Sequence, residues 1–477
     1  PGRASTRPPP ARSRCTQAGP SPRTPRKAAA TMRIGAKETK GWKATISVAM
    51  SNYIEAGSII AIATSLGLWQ DHFGISNLAV GLLAAFSANA FGAAIGAAIG
   101  GPMCDRFGRK FIYTYDLVVY MVGVLLAAFA VSFWMLLVAF VLTGIAVGAG
   151  VPASWTYIAE EAPPGQRAKH VGTAQLAWSM GPVIGFLLAV ALGPLGLLGS
   201  RIVFLHLFVV AFFVWYIRQG LSESALWQQE RDADFSGGAS PTPRRGLREL
   251  LSRPVNIKAL LVLFGVYGFW NLVAGQAGIF MPRVYETAGV ESATEQNLLQ
   301  VLVWSCTVLA TYFGFMRYAD RVDHRVFYAL GAVLGIVGWL FLVYGDGSLP
   351  VLLGYAVCWG LAAGIGAQAF YALWTSELFA TPYRASAQGV LFFAARIAVG
   401  GLSYWFPTLL AEQGVPFVGT LCIGLLLVSL LVGTIWAPQT RGKSLHQIEV
   451  ERYGEPVSVR AGVGAASATT GSLGRQA

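Results

Sequence analysis

Twelve apolar stretches, each about as long as a helix needs to cross a bilayer, constrain this chain more than any other feature. They run over roughly 44–68, 77–100, 111–131, 133–156, 170–193, 202–217, 257–281, 298–317, 326–345, 350–375, 386–410 and 415–436. A helix rises 1.5 Å per residue, so about 20 residues span the ~30 Å hydrocarbon layer. The expected fold class is an all-α integral membrane protein with twelve transmembrane helices and a lipid bilayer as its surroundings. Charge agrees: 12% of residues are charged, against about 25% in a soluble domain. The 14 Trp suit interfacial anchoring. The net charge of +12 comes from basic residues scattered between apolar runs, which fits topology and excludes a nucleic-acid partner.

The basic residues also set the orientation. With the N-terminus in the cytoplasm, Arg201 and Arg283 fall outside and Arg396 within a helix, and the rest of the 35 Lys and Arg fall in the tails and inner loops. Both termini are therefore expected in the cytoplasm, beneath the cytoplasmic membrane. The expected organisation is a disordered Pro/Arg/Ser-rich leader over 1–40, a six-helix bundle over 41–217, a cytoplasmic linker over 218–256, a second six-helix bundle over 257–436 and a tail over 437–477. Met32 is an alternative start that would leave the leader outside the native chain. The linker is charged with a Gly/Ser/Pro centre and is expected to carry short amphipathic helices on either side of it. The cysteines at 15, 104, 306, 358 and 422 imply no disulfide framework.

The halves repeat each other. Asp105-Arg106 recurs as Asp320-Arg321, an offset of 215, and Glu160 and Arg167 recur as Glu377 and Arg384, an offset of 217. Two pseudo-repeated six-helix bundles are the anatomy of an alternating-access carrier. After the second run stands Gly101-Pro-Met-Cys-Asp105-Arg106-Phe-Gly108-Arg109-Lys110. Its glycines permit a tight turn, Asp105 can accept from backbone N–H groups at a helix start, and Arg109 can pair with a carboxylate. The expected result is a polar latch that holds one arrangement of the halves and breaks in the other. Gly442-Lys443-Ser444 looks like the end of a phosphate-binding loop, but Ala437 stands at the first glycine position and no strand precedes it.

This loop matches the G-x-x-x-D-R-x-G-R-K pattern of the major facilitator superfamily. Tyr157-Ile-Ala-Glu160-Glu-Ala-Pro163-Pro-Gly-Gln-Arg167, Ser376-Glu377-Leu-Phe379-Ala-Thr-Pro382-Tyr-Arg384, Glu223-Ser-Ala-Leu-Trp227 and Pro438-Gln-Thr-Arg441-Gly-Lys-Ser-Leu445 follow in order. Together they resemble the sugar porter family over roughly residues 44–450, with Gln439 in place of a usual Glu and Ala225 in place of a Pro. The resemblance implies that Glu160, Arg167, Glu377 and Arg384 form a cytoplasmic salt-bridge cluster, with Asp105, Arg106, Arg109, Glu223, Asp320 and Arg321 in the same gate. Such a cluster holds the outward-open state and opens when the site faces inward. The sequences around Tyr53-Ile-Glu-Ala-Gly-Ser and Gly150-Val-Pro-Ala-Ser-Trp resemble bacterial inositol transporters.

Ionisable groups deep in a membrane are costly and mark function. Glu55 lies twelve residues beyond Lys43 and Arg396 twelve beyond Arg384, so each sits ~18 Å into an outward-running helix. Equal depth makes a pair geometrically possible. Glu55 is the expected proton-coupling group, in part because it approximates an acid with that role in sugar porters. The family's Arg partner on the fourth helix is replaced by Phe140, which leaves Arg396 either to substitute for it or to bind substrate. The expected substrate-binding set is Gln175, Asn271, Gln276, Gln368, Tyr371, Trp374 and Arg396. Amides and aromatic rings suit sugars and polyols. Asn271 and Gln276 point about 140° apart on a regular helix, so both face a cavity only if Gly275 loosens it.

The expected function is secondary active transport of a monosaccharide or polyol, such as myo-inositol, by a monomer with the proton as coupling ion. No other cofactor, metal site or enzymatic activity is expected. The alternatives are a proton-coupled carboxylate carrier, in which Arg396 clamps an acid bidentately, a facilitator without proton coupling, and a non-transporting sensor.

Overall fold

The computed structural model describes residues 42–163, 166–236 and 247–454, with residues 2 and 457. The leader, the linker's centre and most of the tail lie outside the described residues.

Six membrane passes form the first half. They are α1 (Trp42–Ala63) continued by α2 (Leu66–Phe73), α3 (Asn77–Ala85) continued by α4 (Phe91–Phe107), α5 (Arg109–Ala128), α6 (Phe133–Glu161), α7 (Arg167–Leu192) and α8 (Leu197–Arg218). Two short helices, α9 (Ala225–Ser236) and α10 (Leu247–Ser252), flank the linker's centre. The second half begins with α11 (Pro254–Thr287) and α12 (Ala293–Leu309), which runs through a π-helical turn over Ala310–Phe315 into α13 (Met316–Tyr318). It continues with α14 (His324–Tyr344), α15 (Leu349–Ile365), α16 (Ala367–Leu378) and α17 (Arg384–Trp436), and α18 (Leu445–Tyr453) follows the last pass. Ten stretches are each long and apolar enough to cross a membrane. The remaining passes arise because α17 turns a corner at Gly414, whose φ of 73° favours glycine, and because α3 and α4 together make one broken pass.

Local chemistry sets the boundaries. Ser76, Ser132 and Ser292 accept from backbone N–H groups at the starts of α3, α6 and α12, and Asp323 caps α14. Ser444 and Gln447 form a reciprocal capping box on α18. Small residues let helices meet backbone to backbone: a Cβ on Gly96 would sit 2.1 Å from the Ile145 carbonyl oxygen, and one on Gly148 2.0 Å from that of Ala93. That contact clamps α4 on α6, as small-residue faces do in lipid.

Two passes that read as continuous runs in the sequence are broken at mid-depth. Between α3 and α4, Ser87 Oγ donates to the Ala84 carbonyl and accepts from the Asn89 N–H, diverting the backbone from its helical partners. Between α15 and α16 the break falls at Gly366 (φ −99°, ψ −143°). Irregular backbone at this depth survives only where protein satisfies it. The halves meet along α4 with α17, α7 with α12, and α1 with α11.

Candidate functional site

At the end that carries the linker, polar groups join the halves in two matching sets. Gly108 turns the chain between α4 and α5 with a φ of 99°, and a Cβ there would lie 2.2 Å from Glu223 Oε2. Glu223 accepts from the N–H groups of Arg109 (2.9 Å) and Lys110 (3.0 Å) and so caps α5 from the linker. Arg109, fully buried, forks onto Glu160 through Nη2 (2.7 Å) and Nε (3.2 Å). Ser224 donates to the same carboxylate at 2.6 Å, and Arg384 reaches it from the other half at 3.1 Å. Across the pseudo-symmetry, Arg167 meets Glu377 at 2.7 Å.

The two aspartates act on helix starts in the opposite half. Asp105 accepts from the N–H groups of Ser386 (2.7 Å) and Ala385 (3.3 Å) at the start of α17. Asp320 does the same at the start of α7, from Ala168 (3.3 Å) and Lys169 (3.4 Å). A carboxylate there meets both free donors and the positive end of the helix dipole. Burial pushes the Asp320 carboxyl above its ordinary value, against the lowering by those two N–H groups. Arg106 and Arg321 take a lesser part: Arg106 is exposed over the Phe107 ring, and Arg321 offers its carbonyl to Arg441.

Midway through the membrane, Arg396 of α17 pairs through Nη2 with Glu55 of α1, again joining the halves. Glu55 is 0% exposed and Arg396 3%. Trp178 of α7 donates its indole N–H to the second Glu55 oxygen at 3.1 Å. Arg396 Nη1 takes the Asn89 carbonyl at 2.8 Å and its side-chain oxygen at 3.2 Å, while Asn89 donates to the Gly275 carbonyl at 3.0 Å. The broken second pass therefore supplies acceptors to the buried cation. The Phe392 ring lies 4.5 Å beneath the guanidinium, and Arg396 Nε has no partner. A lone carboxylate or guanidinium at this depth is costly; the pair and its bonds compensate each other.

Arg396, Asn271, Gln368, Asn89 and Trp178 line a central cleft that is tightly closed, with about 10 Å³ of space, room for one water. Of the expected substrate-binding set only Asn271, Gln368 and Arg396 line it. The others need correction. Helix α11 runs unbroken through Gly275, so Gln276 turns from the cleft onto α17, donating to the Val399 carbonyl and accepting from Ser403. Gln175 bridges the halves by donating to the Ala363 carbonyl at 3.3 Å. Tyr371 stacks on Tyr267 at 3.8 Å, with Trp155 of the first half edge-on at 5.5 Å. On α16 it lies between Gln368 in the cleft and Glu377 in the latch, buried among these rings. Trp374 points into the second half, donating to His324 and packing on Phe370.

Asn89 and Trp178 were not singled out from the sequence, nor was Asp116, which lies buried 3.8 Å from Arg218. Arg218 also donates to the Ser47 and Val48 carbonyls and to Ser51. Phe140, at the position of the family's arginine, sits in an aromatic cluster with Trp69 and Phe204.

The chain matches the Major Facilitator Superfamily over residues 44–399. It belongs to that superfamily. This major facilitator is 43% identical over 419 residues to the minor myo-inositol transporter of Bacillus subtilis, covering 87% of this chain and 95% of the relative. It is 25% identical to the cis,cis-muconate transport protein of Acinetobacter baylyi, covering 75% and 84% of the two chains. Its fold matches a proton:xylose symporter bound to 6-bromo-6-deoxy-D-glucose, with TM-score 0.67 at 20% identity over 85% of this chain and 98% of the other. The inward-open xylose transporter from E. coli matches with TM-score 0.62 at 19% identity, over 86% and 99%.

Proposed function

We propose that this transporter carries a neutral polyhydroxylated solute, myo-inositol or a close polyol or monosaccharide, across the cytoplasmic membrane by alternating access, as a monomer with both termini in the cytoplasm. The near-exclusive placement of Lys and Arg in tails and inner loops supports that orientation. The proton is the coupling ion, and Glu55 carries it.

The observation that carries this reading is the buried Glu55–Arg396 pair between the halves, whose Arg396 member lines the central cleft. Protonating Glu55 without a solute leaves Arg396 buried and uncompensated, at a cost of about 3–5 kcal/mol. A solute whose hydroxyl oxygens accept from Arg396 offsets that cost. Proton and solute are then favoured together and each alone is disfavoured, which is the thermodynamic content of symport. The similarity to a myo-inositol transporter supports a polyol as the solute.

While Glu55 is ionised, a carboxylate cargo fits this site less well. Arg396 already commits Nη1 to Asn89 and Nη2 to Glu55, leaving one free nitrogen. A bidentate clamp on an acid needs two.

The test is proton movement in proteoliposomes on addition of myo-inositol, hexoses and small carboxylates, with wild type beside Glu55→Gln. Alkalinisation driven by the polyol and lost in Glu55→Gln, with exchange retained, is expected. Polyol exchange without proton movement would make the protein a facilitator, and a response to carboxylates alone would overturn the polyol reading.

A further inference from the structure

At the end away from the latch lies a second, much larger cavity of about 530 Å³. Both halves wall it: Gln70 and Asp71 from α2, Arg283 and Glu286 from α11, and Gln296 and Asn297 from α12. That volume lies within the range of small-molecule sites, ~300–1,000 Å³, whereas the central cleft holds about 10 Å³. A six-carbon polyol therefore has ample room here before the halves part to admit it further.

The wall has a definite chemistry. Gln70 donates to Asn77 and Gln296 to the Val290 carbonyl; each of these amides, like that of Asn297, has a second N–H and a second lone pair to offer a hydroxyl. Arg283 donates to Gln70, and the charges of Asp71 and Glu286 both act on it. The mouth thus holds two carboxylates against one guanidinium. The same end adds Glu291, Glu295, Asp346 and Glu412 against one further cation, Arg201. An excess of one sign around a cleft focuses its field on whatever approaches.

We propose that this cavity is an entrance subsite for a neutral polyhydroxylated solute, whose excess of carboxylates turns small organic anions away. It rests on the carrier reading above, and in that orientation it faces the outside. Selectivity against acids then begins before the central cleft, at the mouth. Because Asp71 and Glu286 are solvent-exposed, their influence is screened by salt.

The experiment is myo-inositol counterflow in proteoliposomes, with succinate as competitor, for wild type, the double variant Asp71→Asn/Glu286→Gln, and Gly67→Trp. Gly67 lines the cavity, and a Cβ there meets nothing within 4 Å, so the indole fills space without displacing backbone. Gly67→Trp is expected to slow counterflow about ten-fold while eluting and melting as wild type does, because it occupies the subsite. Succinate inhibition is expected to rise several-fold in the double variant at low salt, and in wild type at high salt. Wild-type kinetics in Gly67→Trp, or an unchanged succinate response in the double variant, would overturn the subsite alone. Wild-type vesicles that exchange no polyol would overturn the carrier reading and the subsite's solute with it.

Discussion

The two ends of the molecule are held together by different chemistry. At the linker end, Glu160 gathers two buried guanidiniums, Arg167 meets Glu377, and Asp105 and Asp320 each cap a helix of the opposite half. At the other end, among the described residues, a single side-chain bond from Arg283 to the neutral amide of Gln70 crosses between the halves, beside a cavity of about 530 Å³. Breaking a buried ion pair costs more than breaking a half-buried charge–amide bond does. The structure is thus a carrier shut firmly on one side and lightly on the other. The central Glu55–Arg396 pair lies between them, where the proposed proton and solute would shift the balance.

The largest test of that difference is Glu160→Gln. It leaves Arg109 and Arg384, 0% and 2% exposed, without their shared charge. A loss of about 3–5 kcal/mol from the latch-closed state is expected. Hydrogen exchange at the first turns of α7 and α17 should accelerate by about two orders of magnitude or more. Exchange at wild-type rates in a folded variant would mean the cluster does not hold that end.

A smaller effect tests whether the end is built twice. Removing one cap costs about 1 kcal/mol, so Asp105→Ala and Asp320→Ala should each raise exchange at the helix start it caps about five-fold. The caps lie on separate helices of separate halves, so the double variant should show the sum of the two energies. A double variant no worse than either single one would reduce the two sets to one.

Much of this contrast was legible in the sequence, for identifiable reasons. The passes followed from run length alone. The latch followed from Asp105, Arg109, Glu160 and their repeats, because polar residues between apolar runs have few places to go. The Glu55–Arg396 pairing was accessible as a matter of equal depth. The cleft was less legible, because which face a polar side chain presents depends on helix rotation. Gln276 and Trp374 carried suitable chemistry and turned elsewhere. Asn89 escaped notice because its run reads as unbroken; Ser87, which diverts the backbone, was the available signal. Asp116 was reachable by the same rule for intramembrane charges that selected Glu55. The vestibule had almost no signature, since its walls come from six helices brought together only by the fold.

The smallest expected effect would make the two ends alike. Gln70→Glu places a carboxylate opposite Arg283, giving that end an ion pair of the linker-end kind. The gain is small on physical grounds. The pair stays partly exposed, where such bridges contribute about 0.2–1 kcal/mol, and the new charge is added to a mouth already carrying Asp71 and Glu286. Attraction to Arg283 and repulsion from those two carboxylates partly cancel. Counterflow is expected to slow by no more than about five-fold at low salt and to return toward wild type in about 1 M salt, where the Debye length falls to ~3 Å. A slowing that survives high salt would show the new pair buried on closure, making that end drier than its cavity implies. Faster counterflow would show that repulsion from Asp71 and Glu286 outweighs the new pair, and the asymmetry between the ends would then lie in net charge rather than in the number of bonds.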